Sequence, residues 1–130
     1  MSKPSTYVWP TLRAHDPSAL IDFLVRAFGF VEVVRYGSGD IVDHAELSWP
    51  RGGGLMIGTH RDNDETWSVA PGSAATYVVT DEPDVLFERA VREGATIVIG
   101  LRDTDYGSRE FVVRDIEGNR WSFGTYGGAR

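Results

Sequence analysis

The sequence predicts an α+β fold: two βαβββ modules whose curved sheets enclose a cavity. Three observations predict it. The chain repeats itself at a near-constant offset: Asp16 and Gly29 recur as Asp81 and Gly94, each 65 residues on, and Gly58-Thr59 recurs as Gly124-Thr125, 66 residues on. Each copy holds one apolar stripe at helical spacing that ends in glycine. Each copy also ends in strands whose bulky apolar positions alternate with smaller or more polar ones.

The elements follow in order. Tyr7–Arg13 reads as a strand. Asp16 suits a helix N-cap, and Pro17 suits the first helical position, where a missing N–H costs nothing. Leu20, Phe23, Leu24, Ala27 and Phe28 form the stripe, and Gly29 supplies the left-handed residue that closes a helix. Phe30–Tyr36 is strand-like because β-branched residues concentrate there. The segment 36–40 reads as a turn, and Ile41–Trp49 and Leu55–His60 as two further strands. The second copy gives strand Ala75–Thr80, helix Pro83–Glu93, strand Thr96–Ile99, a loop to Ser108, strand Arg109–Arg114, turn Asp115–Asn119 and strand Arg120–Tyr126. The first module thus covers about 5–60, a polar connector 61–73, and the second module about 74–127, all in one domain.

Period two assigns the faces. Leu55 and Ile57 align with Trp121 and Phe123, and Ala45 and Leu47 with Phe111 and Val113. These bulky positions define a core face, the last-strand set packing on the helix of its own module. The alternate positions are Met56, Gly58 and His60 against Ser122, Gly124 and Tyr126, and His44 and Glu46 against Glu110 and Val112. Small, polar and aromatic residues mixed on one face are what a ligand cavity needs.

Composition narrows the chemistry. The chain has 130 residues and no cysteine, so a disulfide framework, a thiolate metal site and a thiol nucleophile are excluded. Its three histidines, His15, His44 and His60, are the whole supply of imidazole. Thirteen basic against nineteen acidic residues give a net charge of −6, which argues against nucleic acid as a partner. No apolar run approaches the roughly 20 residues of a membrane span, and no signal peptide opens the chain, so the expected compartment is the cytoplasm with no membrane partner.

The paired modules, the opening Leu12-Arg13-Ala14-His15-Asp16 and the closing Arg114-Asp115-Ile116-Glu117-Gly118-Asn119-Arg120-Trp121-Ser122-Phe123 resemble the glyoxalase/bleomycin-resistance branch of the vicinal oxygen chelate superfamily. Ile116 stands where that branch usually has proline. The resemblance implies two modules around a cavity, often completed by a second subunit, so a homodimer is expected. It also implies where a metal would be held in metal-dependent members: on the first and last strands of each module, at Trp9, Met56, Ala75 and Ser122. None of these is an imidazole or carboxylate ligand, so no metal and no cofactor is expected.

A cavity without metal ligands but with aromatic walls points to binding. Trp49, Trp67 and Tyr106 sit in or beside polar loops, where aromatic rings either cover core edges and a subunit interface or stack on a planar ligand. The expected ligand-binding set is Trp9, His44, Glu46, Trp49, Met56, His60, Trp67, Tyr106, Glu110, Val112, Ser122 and Tyr126, with no catalytic residue. The expected function is sequestration of an aromatic small molecule such as an antibiotic, and the acidic balance weakly favours a cationic one. The alternative is a metal-independent enzyme of lyase or isomerase type acting on a small or aromatic metabolite, with His44 and Glu46, or His60 and Glu110, as its acid–base pair.

Overall fold

The computed structural model describes residues 8–63 and 69–129. It contains two four-stranded sheets and two helices, in an α+β arrangement of two βαβββ modules. The first module runs β1 (Thr11–Ala14), α1 (Pro17–Phe23), β2 (Val31–Ser38), β3 (Ile41–Ser48) and β4 (Gly54–Thr59). The second runs β5 (Ala75–Val79), α2 (Pro83–Arg92), β6 (Thr96–Asp103), β7 (Arg109–Arg114) and β8 (Arg120–Gly124). Strand order is β1-β4-β3-β2 in one sheet and β5-β8-β7-β6 in the other, so the two copies share one topology. In each sheet the first strand runs parallel to the last, and the other pairs are antiparallel.

Local chemistry explains the elements. The Asp16 carboxylate accepts the Ala19 N–H at 3.2 Å, and Pro17 opens α1. After Phe23 the helix widens into a π turn, Leu24–Phe28, which Gly29 closes at φ +88°. Several strand ends differ from the sequence reading: β2 runs to Ser38, into the segment 36–40 read as a turn, and β8 stops at Gly124 rather than Tyr126. β1 starts at Thr11, and Tyr7 lies outside the described residues. β6 runs to Asp103 rather than Ile99, because Arg102 and Asp103 find ladder partners in Glu110 and Arg109 beyond two irregularities in register. Pairing with β7 outweighs the weak local strand preference of Gly100 and its charged neighbours.

Both modules feed one core. Ala45, Leu47, Leu55, Ile57, Phe111, Val113, Trp121 and Phe123 are all buried, as period two requires. Trp121 and Phe123 do not confine their packing to their own helix, however. Phe28 lies 5.5 Å from Trp121 and 4.9 Å from Phe123, centroid to centroid, and Phe30 lies 5.5 Å from Trp121. The end of the first module's helix thus inserts its rings against the second module's sheet. A 22-residue buried set spanning both modules follows from this insertion.

Candidate functional site

The face of each sheet opposite the core is the open face. In the first module β1 and β4 pair with Thr11 opposite Met56 and Arg13 opposite Gly58. The same register sets Glu46 beside Met56. Glycines on β4 let the neighbouring side chains lie flat. A Cβ on Gly54 would meet the Trp9 ring at 2.7 Å and the Leu47 carbonyl oxygen at 2.5 Å, and one on Gly58 would collide with the Arg13 guanidinium. His44 Nε2 lies 2.8 Å from Glu46 Oε2, and the Tyr36 ring stacks on His44 at 6.5 Å. A pocket of about 170 Å³ between Thr11, Arg13, His44 and Met56 occupies this face.

The open face of the second module repeats the device. A Cβ on Gly124 would come within 2.6 Å of the Tyr77 hydroxyl and 2.7 Å of Glu110 Cγ. Glu110, only 8% exposed, accepts the Tyr106 hydroxyl at 2.8 Å. Tyr77 donates its hydroxyl to the Tyr126 carbonyl at 2.8 Å, and the Tyr106 and Tyr126 rings meet edge to face at 5.7 Å. Donation to the Glu110 carboxylate, with burial adding to it, holds the Tyr106 phenol above its ordinary range. Burial does the same to Tyr77, and the Glu110 charge adds to it. Val112 and Ser122 face one another in register on this sheet, both half-buried.

A further cleft borders both modules. It sits at the seam between the modules, holds about 380 Å³, and is walled by Pro10, Phe30, Trp49 and Leu55 on one side and Thr76–Val79 of β5 on the other. The Trp49 ring packs 4.9 Å from Phe30 and 6.2 Å from Phe123, and its indole N–H donates to the Val79 carbonyl at 3.0 Å. Trp49 therefore covers a core edge, as one sequence reading expects, and also walls a cavity. A second hollow of about 320 Å³ adjoins its far edge, where Arg51 pairs with Asp81.

The sequence-derived set thus separates into three places. Trp49 walls the seam, and Trp9 lies against Gly54 beside it. His44, Glu46 and Met56 share the first open face. Tyr106, Glu110, Val112, Ser122 and Tyr126 share the second. Trp67 lies outside the described residues. His60 is not joined to Glu110. It sits at the end of β4, where Nε2 lies 2.9 Å from Asp62 and the ring meets His15 edge to face at 5.4 Å. Glu110 belongs to the other sheet and pairs with tyrosine instead. Sequence reasoning missed Phe30 and Tyr77. Phe30 follows the helix-closing Gly29 and reads as an ordinary strand start, whereas the alternation of β5 does put Tyr77 on the open side.

The residues at the four metal positions do not fit a metal. Trp9, Met56, Ala75 and Ser122 offer an indole, a thioether, a methyl and a hydroxyl, and a hard or borderline divalent ion needs converging carboxylates and imidazoles. Among the described residues no three His, Asp or Glu side chains converge on a common point.

Comparison with known proteins agrees with this architecture. A family model described as the Glyoxalase/Bleomycin resistance protein/Dioxygenase superfamily matches residues 6–123. An uncharacterized protein of Mycobacterium tuberculosis strain H37Rv is 32% identical over 127 residues, covering 88% of this chain and 71% of that one. The crystal structure of TioX from Micromonospora sp. ML1 superposes with a TM-score of 0.78 at 33% identity, covering 92% of this chain and 98% of that one. A glyoxalase/bleomycin resistance protein from Streptomyces sp. CB03234 shares the fold with a TM-score of 0.69 at 20% identity, covering 87% and 94%. By its closing motif, its duplicated βαβββ topology and the span of the family match, this chain belongs to the Glyoxalase/Bleomycin resistance protein/Dioxygenase superfamily.

Proposed function

We propose that this protein binds a planar aromatic small molecule, of the natural-product antibiotic kind, and holds it without chemical turnover. The observation that carries the reading is the seam cleft: about 380 Å³, within the range of small-molecule sites, walled by Trp49 and Phe30. Offset aromatic contacts of that kind contribute about 0.5–1.5 kcal/mol beyond area burial. Sequestration needs affinity alone, which matches four metal-ligand positions that carry no ligand chemistry. A cationic group on the ligand is supported by the net charge of −6. We also propose that the working form is a homodimer in the cytoplasm. Exposed Val31 and Val33 on β2 and Ile97 and Ile99 on β6 are apolar surface that a second subunit would cover.

Titrating the purified protein with a panel of aromatic antibiotics tests the reading. A binder gives stoichiometric quenching of tryptophan fluorescence and returns the ligand unchanged by mass spectrometry. Turnover of the ligand sinks sequestration and favours the second reading, a metal-independent enzyme. That reading is supported by the 2.8 Å contact of His44 with Glu46 beside the pocket on the first open face, a geometry suited to proton transfer. Sedimentation at micromolar concentration tests the dimer, and a monomer there overturns it.

A further inference from the structure

Strand β5 is an edge: among the described residues it pairs only with β8. In that ladder the Arg120 N–H donates to the Ala74 carbonyl and the Thr80 N–H donates to the Gly124 carbonyl. A strand turns successive residues' main-chain groups to opposite sides, so Ala74, Thr76, Val78 and Thr80 address β8. Tyr77 and Val79 address the other side, where the cleft lies. The Val79 carbonyl is met there by the Trp49 indole N–H. The main-chain N–H and C=O of Tyr77 point the same way and form a donor–acceptor pair along the cleft wall.

We propose that the seam cleft recognises its ligand through a lactam edge, a ring N–H beside a ring C=O, laid on Tyr77. The ring N–H donates to the Tyr77 carbonyl, the ring carbonyl accepts from the Tyr77 N–H, and the fused ring lies against the wall that Trp49 and Phe30 form together. This rests on the reading that the cleft takes an aromatic ligand and adds the polar edge that the ligand must carry. A purely apolar ring that sealed the cleft would strip water from both Tyr77 groups and replace neither hydrogen bond. An added peptide strand is the poorer occupant, because its ladder would need the Val79 carbonyl that Trp49 already holds.

The test is an amide-resolved NMR titration of isotope-labelled protein with 2-quinolinone and with its N-methyl derivative, which has lost the donor. The expected result is a shift of the Tyr77 amide and of the Trp49 indole resonance, with the N-methyl compound at least tenfold weaker. Equal affinity for both compounds overturns the lactam edge while leaving aromatic binding intact. Shifts at Met56 and Gly58 instead, or no shift with either compound, overturn the site itself. The antibiotic panel then judges the broader reading separately. Thr76→Phe fills the cleft from β5. Folded by circular dichroism, it should bind 2-quinolinone at least tenfold more weakly, and unchanged binding overturns the assignment. A capped Thr-Val-Thr-Val peptide that shifts Tyr77 with higher affinity than 2-quinolinone also overturns it, in favour of strand addition.

Discussion

Glu117, in the turn between β7 and β8, accepts the main-chain N–H of Asp16 through Oε2 at 2.8 Å. Its other oxygen accepts the His15 N–H at 3.1 Å. A carboxylate of the second module thus sits on the N-terminus of the first module's helix, 101 residues away in sequence. At the other end, Arg89 of α2 donates to the Arg26 carbonyl at 2.8 Å and to the Val25 carbonyl at 3.2 Å. Anion at the start and cation at the end both match the helix dipole.

These two contacts predict a stability effect without a change of fold. Glu117→Ala and Arg89→Ala should each lower the unfolding free energy by about 1 kcal/mol, because both groups are partly solvated. Urea unfolding measures this. Wild-type stability in both variants would show that these two contacts add nothing to the joining of the modules.

Asp115 should matter more. It is 5% exposed and accepts hydrogen bonds from the Glu117 and Asn119 N–H groups, the Asn119 side chain and the Trp121 indole, at 2.8–3.0 Å. Asp115→Ala leaves those donors buried and unmet, and about 2–4 kcal/mol should be lost. Asp115→Asn should also destabilise, since it places two donors where only acceptors fit. A melting temperature within a degree of wild type for the alanine variant contradicts this account of the turn.

Trp49 contributes a ring and a hydrogen bond, and substitution separates them. Trp49→Phe keeps an aromatic wall but loses the bond to the Val79 carbonyl, so stability should fall by about 1 kcal/mol while aromatic ligands still bind. Trp49→Ala also opens the contacts with Phe30 and Phe123 and should lose both stability and binding. Paired thermal melts and fluorescence titrations distinguish the two variants.

Two glycines of the open faces should respond differently to the same added methyl group. Gly54→Ala drives Cβ to 2.5 Å from a carbonyl oxygen of the neighbouring strand, which cannot move without distorting the ladder. Gly124→Ala meets the Tyr77 hydroxyl and the Glu110 side chain at Cγ, side-chain atoms that shift more readily than a ladder carbonyl. The first should therefore cost at least about 2 kcal/mol and the second roughly half that or less. The reverse order in chemical denaturation rejects the close-approach argument.

The tyrosines of the second open face carry a pH signature. Tyr106 and Tyr77 titrate above their ordinary value of 10.0, the first through its bond to Glu110 and the second through burial. A raised folded-state value means that the stability each contributes is fully present below pH 10 or so and is lost as pH rises through the raised value. Absorbance titration at alkaline pH should show two late-ionising tyrosines, and Glu110→Gln should return Tyr106 toward the ordinary range. Unchanged ionisation of Tyr106 in that variant separates the shift from Glu110.

Much of the fold was legible because its signals are local. The stripe Leu20 to Phe28 with its terminal Gly29, and the alternation that buries Ala45 and Leu47 while leaving His44 and Glu46 on the open side, are written in residues a few places apart. The extension of β6 to Asp103 was not legible, because the pairing of Arg102 with Glu110 outweighs its own propensity. The site was legible in part. Period two grouped Glu110, Val112, Ser122 and Tyr126, but it carries no information on the loop conformations that bring Tyr106 to Glu110 and His60 to Asp62.

By itself the sequence determined the duplicated order of elements, the core and open faces of each sheet, and the absence of metal-ligand chemistry at Trp9, Met56, Ala75 and Ser122. Only the tertiary structure decided that Phe28 and Phe30 pack against Trp121, that Trp49 bonds Val79, and that a cleft of about 380 Å³ opens at the seam beside β5. The reason is physical. Periodicity records which side of an element is buried, whereas the placement of one module on the other depends on how particular rings fit together, and that fit has no period to read.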